Sequence, residues 1–176
     1  QPRKGKNLYY EMVIDFPDAV FGLEKEINVE SGKVSIKIPA GVREGTELRF
    51  ANKGMPGPQG APAGDLFITL RVKNPAEFEI AGDNIVVNKE VDFTVAVLGG
   101  ELEIPVVDVT KQSAIGIAKL KIPAGTQPGT RFLLRGKGMP RLRGRGQGDA
   151  IINVFVSIPK KLSKKQKDIL EEYRRL

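Results

Sequence analysis

The sequence predicts a mainly β protein: two tandem, homologous β-sandwich-like domains followed by a short C-terminal helix. Three observations lead to this prediction. Short motifs occur twice in the same order, apolar and polar residues alternate along each copy, and a helix-starting pattern appears near the end. Strict alternation is typical of strands with one buried face.

The repeat is seen as ordered matches at constant spacing. Two motifs return 84 residues later: Ile38-Pro39-Ala40-Gly41 as Ile122-Pro123-Ala124-Gly125, and Lys53-Gly54-Met55-Pro56 as Lys137-Gly138-Met139-Pro140. Near the start of each copy the spacing is 77, since Ala19-Val20-Phe21-Gly22 corresponds to Ala96-Val97-Leu98-Gly99. Fixed-period self-similarity is the signature of repeated structural units.

The two spacings define the domain organisation. Their difference places an insertion in the second copy, between Val107 and Ala118. We expect a first β domain over 1–80, a second over 81–158 and a helical tail over 159–176.

Alternation predicts strands within each copy. In the first copy the apolar rows are Leu8, Tyr10, Met12 and Ile14, then Val34, Ile36 and Ile38, then Leu66, Ile68, Leu70 and Val72. Two short candidate helices are Asp18 to Gly22 and Val95 to Gly99.

The tail begins with Ser163-Lys164-Lys165-Gln166, the pattern of a capping box. An apolar stripe at helical spacing follows, made of Ile169, Leu170, Tyr173 and Leu176. A helix this short is marginal alone, so the stripe needs a partner, either the second domain or another subunit.

The composition excludes several classes of catalytic and metal site. The chain has no His, Cys or Trp and a net charge of +7. Thiolate zinc sites and Ser-His triads are therefore excluded, and we expect a protein that is not an enzyme and has no metal or cofactor. The segment that begins the chain is polar and no apolar run has membrane-spanning length, so we expect a cytoplasmic protein without a membrane partner.

Taken together, these motifs resemble the C-terminal client-binding region of DnaJ-type J-domain co-chaperones. The resemblance rests on the doubled Ile-Pro-Ala-Gly and Lys-Gly-Met-Pro motifs and on the stretch from Leu142 to Asp149. It implies two stacked β-sandwich domains and a helix that forms a homodimer. It also implies that the full-length protein delivers unfolded client polypeptides to a DnaK-type chaperone.

The chain departs from that family in two respects. It has no His, so the His-Pro-Asp motif of a J-domain is absent. A zinc-binding insert, which many members carry, would fall near Glu30-Ser31-Gly32, where this sequence has a short turn. Both a member that naturally lacks the insert and one with the insert deleted remain open.

Matched positions favour the first copy as the client-binding one. At the matched positions, the first copy has Tyr10, Met12 and Ile14 and the second has Val87, Lys89 and Val91. A lysine charge is unfavourable in an apolar groove, whereas methionine adapts to varied ligands. Ile27, Val29, Val34 and Ile36 are the facing candidates. The resemblance implies that a later aromatic completes the groove, and Phe78 is the candidate. For any one of these residues, ordinary core remains an open interpretation.

Other features lead to competing interpretations. Arg141, Arg143 and Arg145 alternate with glycines or Leu142, which suggests a nucleic-acid-binding protein as the alternative function, although no aromatic platform accompanies them. A module that uses its apolar strand only for self-association is a third possibility. The resemblance implies that an acidic chaperone tail binds basic residues of the first domain, and the candidates are Lys25, Lys33 and Lys37.

Overall fold

The computed structural model describes residues 3–176 as two β-sandwiches in series with a terminal helix, which confirms the mainly β prediction. The first sandwich consists of β1 (Leu8–Asp15), α1 (Phe16–Phe21), β2 (Leu23–Val29), β3 (Gly32–Ile38), β4 (Glu47–Phe50) and β5 (Leu66–Lys73). The second consists of β6 (Glu79–Ala81), β7 (Asn84–Asp92), α2 (Phe93–Leu98), β8 (Gly100–Val107), β9 (Ile115–Ile122), β10 (Arg131–Leu134) and β11 (Ala150–Ser157). The helix α3 spans Lys164–Arg175.

The first sandwich packs a three-stranded sheet on a hairpin. The sheet has the order β1-β5-β4, with β1 parallel and β4 antiparallel to β5, and the hairpin pairs β2 with β3. Alternate residues point inwards from both layers, as the sequence predicted. The core they form contains Leu8, Ile14, Val34, Ile36, Ile38, Leu66, Ile68 and Leu70.

The second sandwich repeats this plan with two additions. Its sheet has the order β10-β11-β7-β6, so a fourth strand, β6, pairs with the beginning of β7. The expected boundary between residues 80 and 81 falls inside β6. The β8–β9 hairpin is longer than its counterpart and ends in a loop over 108–114, which is where the structure places the insertion.

Both short helices begin two residues before the predicted starts. Proline occupies the first turn of α1, where its missing amide costs nothing. In α2 the Asp92 side chain accepts a hydrogen bond from the Thr94 amide at 2.8 Å. Each helix ends at a glycine, Gly22 or Gly99, with φ of 83°.

The repeated Gly-Met-Pro and Gly-Asp motifs have a structural role. In the first copy they clasp the segment that leads into β1, because Met55 donates its amide to the Lys6 carbonyl at 2.9 Å. A Cβ at Gly64 would lie 2.1 Å from that carbonyl oxygen, and one at Gly148 would lie 2.0 Å from the Asp83 oxygen. Backbone approaches this close admit only glycine.

The two sandwiches meet in a buried junction. Phe16 and Val20 of the first sandwich belong to the same apolar cluster as the second core, and Phe78 joins them. The Arg43 side chain donates hydrogen bonds to the Gly82 carbonyl at 2.7 Å and the Asp83 carboxylate at 2.8 Å. Apolar packing and these bonds therefore fix the two units against each other.

The terminal helix has the predicted capping box. Gln166 donates its amide to the Ser163 hydroxyl at 3.1 Å, and Ser163 donates its own to the Gln166 side chain at 2.9 Å. Across residues 3–176, no helix combines the length and apolar character needed to cross a membrane.

Candidate peptide-binding groove

The first sandwich is open along the side where β1 and β2 lie. Both are edge strands: β1 pairs only with β5, and β2 only with β3, within the part of the chain that the structure describes. Edge strands leave a row of backbone amides and carbonyls without partners, which is a template for another strand. Protein backbone groups are thus available at this side.

Four of the predicted groove residues lie partly exposed at this open side. Tyr10 and Met12 extend from β1, and Ile27 and Val29 from β2. Met12, Ile27 and Val29 pack against the buried core beneath them, and Tyr10 retains 36% of its exposure. These four side chains form a partly exposed apolar surface above the core, which we call the β1/β2 groove.

Tyr10 connects the two layers at one end of this groove. Its hydroxyl accepts a hydrogen bond of 2.9 Å from the backbone amide of Glu30, the residue that follows β2. The ring therefore spans from β1 to the end of β2. This contact joins β1 to the end of β2 at one end of the groove.

The other four predicted groove residues lie elsewhere. Ile14, Val34 and Ile36 are buried core residues under the groove rather than part of its surface. Phe78 lies in the junction between the sandwiches, where its ring meets Phe16 edge to face with centroids 5.7 Å apart. Nothing in the sequence indicated that this aromatic packs across two units.

The matching side of the second sandwich is closed. Val87, Ile104 and Val106 occupy the places of Tyr10, Ile27 and Val29, and all three are buried, Ile104 with no exposure at all. The inserted loop contributes Ala114 to this core, and the Val107 amide donates to the Lys137 carbonyl at 3.2 Å. Sequence comparison had found Lys89, but not that β6 would pair with the beginning of β7, the counterpart of β1.

The candidate lysines for an acidic chaperone tail occupy two faces of the hairpin. Lys25 stands opposite Ile36 in the inward row of β2 and is exposed at the open edge. Lys33 and Lys37 lie on the outer face, where they pair with Glu26 at 3.8 Å and Glu24 at 3.1 Å. Glu24 and Glu26 thus belong to surface ion pairs, and the three lysines do not form one cluster.

Asp65, the residue that precedes β5, carries a carboxylate that joins separate segments of the first sandwich. Asp65 is nearly inaccessible and binds the Asn52 amide at 3.0 Å, Lys4 at 2.9 Å and Arg49 at 2.7 Å. The Asn52 amide, followed by the Lys4 and Arg49 side chains, lowers the pKa of the Asp65 carboxyl far below its usual range. The charged form of Asp65 is therefore part of the folded state.

The residues expected to dimerise differ in exposure, and both Ile169 and Leu170 line a cleft against Phe93 of the second sandwich. Leu170 turns towards the second sandwich, where it lines a small cleft with Phe93 and Val156. Ile169, Tyr173 and Leu176 are exposed, Tyr173 by 72%. They form a stripe with spacings of four and three residues, which we call the α3 stripe.

The loop that carries Arg141, Arg143 and Arg145 lies beside the junction between the sandwiches. Arg43 donates a hydrogen bond to the Pro140 carbonyl at 3.1 Å, and Arg141 approaches the Asp83 carboxylate at 4.0 Å. Gly41 faces the backbone of Pro140 to Leu142 so closely that a Cβ there would lie 2.7 Å from the Pro140 oxygen. Part of this loop thus joins the two sandwiches.

The geometry defines a class of protein: two homologous β-sandwiches in fixed series, one with an apolar open side and one closed. The sequence profile of the DnaJ C terminal domain matches residues 8–159, and the chain belongs to that family. The family is one of chaperones and not of enzymes.

Curated relatives agree with this membership. The protein "Chaperone protein DnaJ" of Geobacillus thermodenitrificans (strain NG80-2) is 49% identical over 144 residues, which is 82% of this chain and 36% of the relative. The protein of the same name from Bacillus mycoides (strain KBAB4) is 46% identical over 141 residues, 80% of this chain and 36% of the relative. The chain thus spans about a third of the length of these relatives.

Proposed function

We propose that the chain is the client-binding part of a co-chaperone and holds extended apolar segments of unfolded polypeptides in the β1/β2 groove. The contrast between the two copies carries this proposal. Tyr10, Met12, Ile27 and Val29 stay partly exposed on one sandwich, whereas the matched residues of the other are buried or replaced by Lys89. Apolar side chains left at an open sheet edge are typical of a binding surface.

Strand addition is the mode of binding that suits this site. A client segment lying along β2 would hydrogen-bond through its backbone, whatever its sequence, while every second side chain entered the groove. Backbone pairing gives breadth, and the Met12 thioether adapts to side chains of different shape. A chaperone for many clients needs both properties.

The expected affinity is modest. Burying one large client side chain contributes about 1.5–3 kcal/mol, and the groove has room for two or three. Ordering an extended chain opposes much of this gain. Affinity in the micromolar range, near −8 kcal/mol, follows, and such a complex releases its client readily.

Delivery of the client to a DnaK-type chaperone is the second part of the proposal. It rests on family membership and on relatives whose names are those of DnaJ chaperones. We propose further that the exposed α3 stripe pairs two copies into a homodimer. Lys25, Lys33 and Lys37 remain the candidates for contact with an acidic tail of the partner chaperone, with Lys25 on the groove side.

Peptide titration tests the groove. A fluorescein-labelled peptide rich in Leu and Phe should bind the wild type saturably, with little dependence on salt. Met12→Lys and Ile27→Asp should each weaken binding at least about tenfold, because each loses contacts worth more than about 1.4 kcal/mol and buries a charge. Fluorescence anisotropy gives the dissociation constants.

A matched control lies next to Met12 on the same strand. Val13 is exposed on the outer face of β1, opposite Arg71, so Val13→Asp adds a charge without touching the groove. This variant should bind within about twofold of wild type, because Val13 lies on the outer face of β1 and does not border the groove. Wild-type affinity in folded Met12→Lys and Ile27→Asp would refute the groove assignment.

A further inference from the structure

The chain offers few readily oxidised side chains. It has no Cys, no His and no Trp, and its sulfur is confined to three methionines, Met12, Met55 and Met139. Met139 is fully buried in the core of the second sandwich, whereas Met12 and Met55 are partly exposed and pack against the core of the first. Oxidants that attack a thioether should therefore act on the first sandwich before the second.

Met12 and Met55 differ in their surroundings. Met12 stands on the edge strand β1, opposite Leu70 of β5, and its side chain belongs to the β1/β2 groove. Met55 lies in the clasp, where its amide donates to the Lys6 carbonyl and its carbonyl accepts from the Gly64 amide, both at 2.9 Å. Oxidation of Met12 therefore changes the groove surface, whereas oxidation of Met55 changes a side chain outside it.

The fold tolerates a polar side chain at the place of Met12. Lys89 is the matched residue of the second sandwich, where it is partly buried on β7 opposite Val154. A long unbranched side chain can lay its methylene groups along apolar surface and keep its polar end in water. The sulfoxide of Met12 has the same shape of chain with a polar group near its end, so the sandwich should stay folded when the groove becomes polar.

We propose that Met12 is a modification site at which oxidation to the sulfoxide lowers the affinity of the groove for apolar clients. This inference rests on the proposed function, because it requires that the groove binds clients. With hydrogen peroxide as the oxidant, the sulfur lone pair attacks one peroxide oxygen, the O–O bond breaks, and the other oxygen leaves as water with both peroxide protons. The sulfur is oxidised and the peroxide is reduced. Methionine sulfoxide reductases reverse the change, so the modification can act as a switch.

The expected loss of affinity has a physical cause. The thioether is apolar and adaptable, and a client side chain that covers it removes apolar surface from water. The sulfoxide oxygen accepts hydrogen bonds from water, and an apolar client side chain that covers it removes that water without supplying a donor. Clients that bind mainly through apolar side chains should therefore lose the most affinity.

Peptide titration before and after peroxide treatment tests this site. Oxidised wild type should bind the labelled peptide rich in Leu and Phe about fivefold or more weakly than reduced wild type, while circular dichroism shows an unchanged fold. Trypsin separates the three methionines into different peptides, so mass spectrometry shows which of them are oxidised. Treatment with methionine sulfoxide reductases should restore the affinity.

Two matched variants assign the effect to Met12. Met55→Leu with Met139→Leu retains Met12 as the one methionine of the chain. This variant should bind as reduced wild type does and lose affinity by the same factor on oxidation. Met12→Leu retains a similar apolar volume, and its affinity, whatever the starting value, should change by less than about twofold on oxidation.

The outcomes separate this site from the groove itself. A reduced wild type that does not bind the peptide would contradict the client groove and this site with it. Binding that survives proven oxidation of Met12, or an equal loss in oxidised Met12→Leu, would overturn the redox site and leave the groove standing. So would oxidation of Met55 while Met12 stays reduced, or unfolding of the oxidised variant that retains Met12 alone.

Discussion

The two homologous sandwiches differ at two matched residues of β1 and β7. Met12 and Lys89 occupy equivalent strands, and Tyr10 corresponds to the smaller Val87. The Tyr10 hydroxyl accepts a hydrogen bond from the Glu30 amide, and the Tyr10 ring stays at the surface. Val87, by contrast, is buried in the core of the second sandwich. These two substitutions accompany the difference in exposure between the matched edges, together with the pairing of β6 with β7.

Asp65 is where pH should act on stability. Its folded pKa lies below the unfolded value of about 3.9, so ionised Asp65 stabilises the fold above that pH. The contribution is lost as pH falls below about 4 towards the folded pKa. Asp65→Asn should therefore be less stable than wild type at pH 7, and its stability should fall less between pH 5 and pH 2. Urea unfolding at a series of pH values measures both.

Asp149 provides the comparison for this experiment. It holds the same place in the second copy and accepts a hydrogen bond from the Gly136 amide at 2.8 Å. Ala81 and Leu133 stand where the first copy has Lys4 and Arg49. Asp149→Asn should change the pH dependence less than Asp65→Asn, and equal effects of the two variants would contradict the role given to the Lys4 and Arg49 contacts.

Strands and helices could be predicted where the residues of a single sandwich determine them. The alternating rows gave β1, β3 and β5, and Ser163 with Gln166 gave the start of α3. Phe78 was not predictable, because its environment is created by Phe16 and Val20 of one sandwich and the core of the other. Periodicity reports a buried face but not which unit covers it.

The insertion was located by sequence, but its effect was not. Spacing alone limited it to 107–118, and the structure puts it at the tip of the β8–β9 hairpin. There it adds Ala114 to the core of the second sandwich. A loop's contacts depend on its path in three dimensions, which repeat spacing does not contain.

The helix α3 should pair two copies of the chain. Twelve residues are too few to make a stable isolated helix, and Ile169, Tyr173 and Leu176 lie exposed on one stripe. Wild type should sediment as a dimer, and Ile169→Asp with Tyr173→Asp should sediment as a monomer because two charges would enter the apolar contact. Sedimentation velocity over a range of concentrations checks this.

Lys165 supplies the control on the same helix. It is exposed, and Lys165→Asp changes net charge by the same amount as the double substitution. This variant should remain dimeric. A monomeric wild type, or a double variant that dimerises as well as wild type, would show that the α3 stripe does not pair two copies of the chain.

At the scale of the whole molecule, the two sandwiches act as one body. Phe16, Val20 and Phe78 join the cores, and Arg43 ties the first sandwich to Gly82 and Asp83. The β1/β2 groove therefore holds a fixed position relative to the second sandwich. If α3 forms the dimer, two grooves can bind one long client at once. The second binding event is then intramolecular, which raises the overall affinity for that client.

Methionine methyl NMR tests the β1/β2 groove most directly. The chain has three methionines: Met12 borders the groove, whereas Met55 and Met139 occupy matched positions in the two clasps, Met139 fully buried. With ¹³C-methyl methionine, added apolar peptide should shift the Met12 resonance along a saturating curve and leave the other two unmoved. Peptide binding that shifts Met55 or Met139 while Met12 stays in place would contradict the groove and point to another part of the molecule.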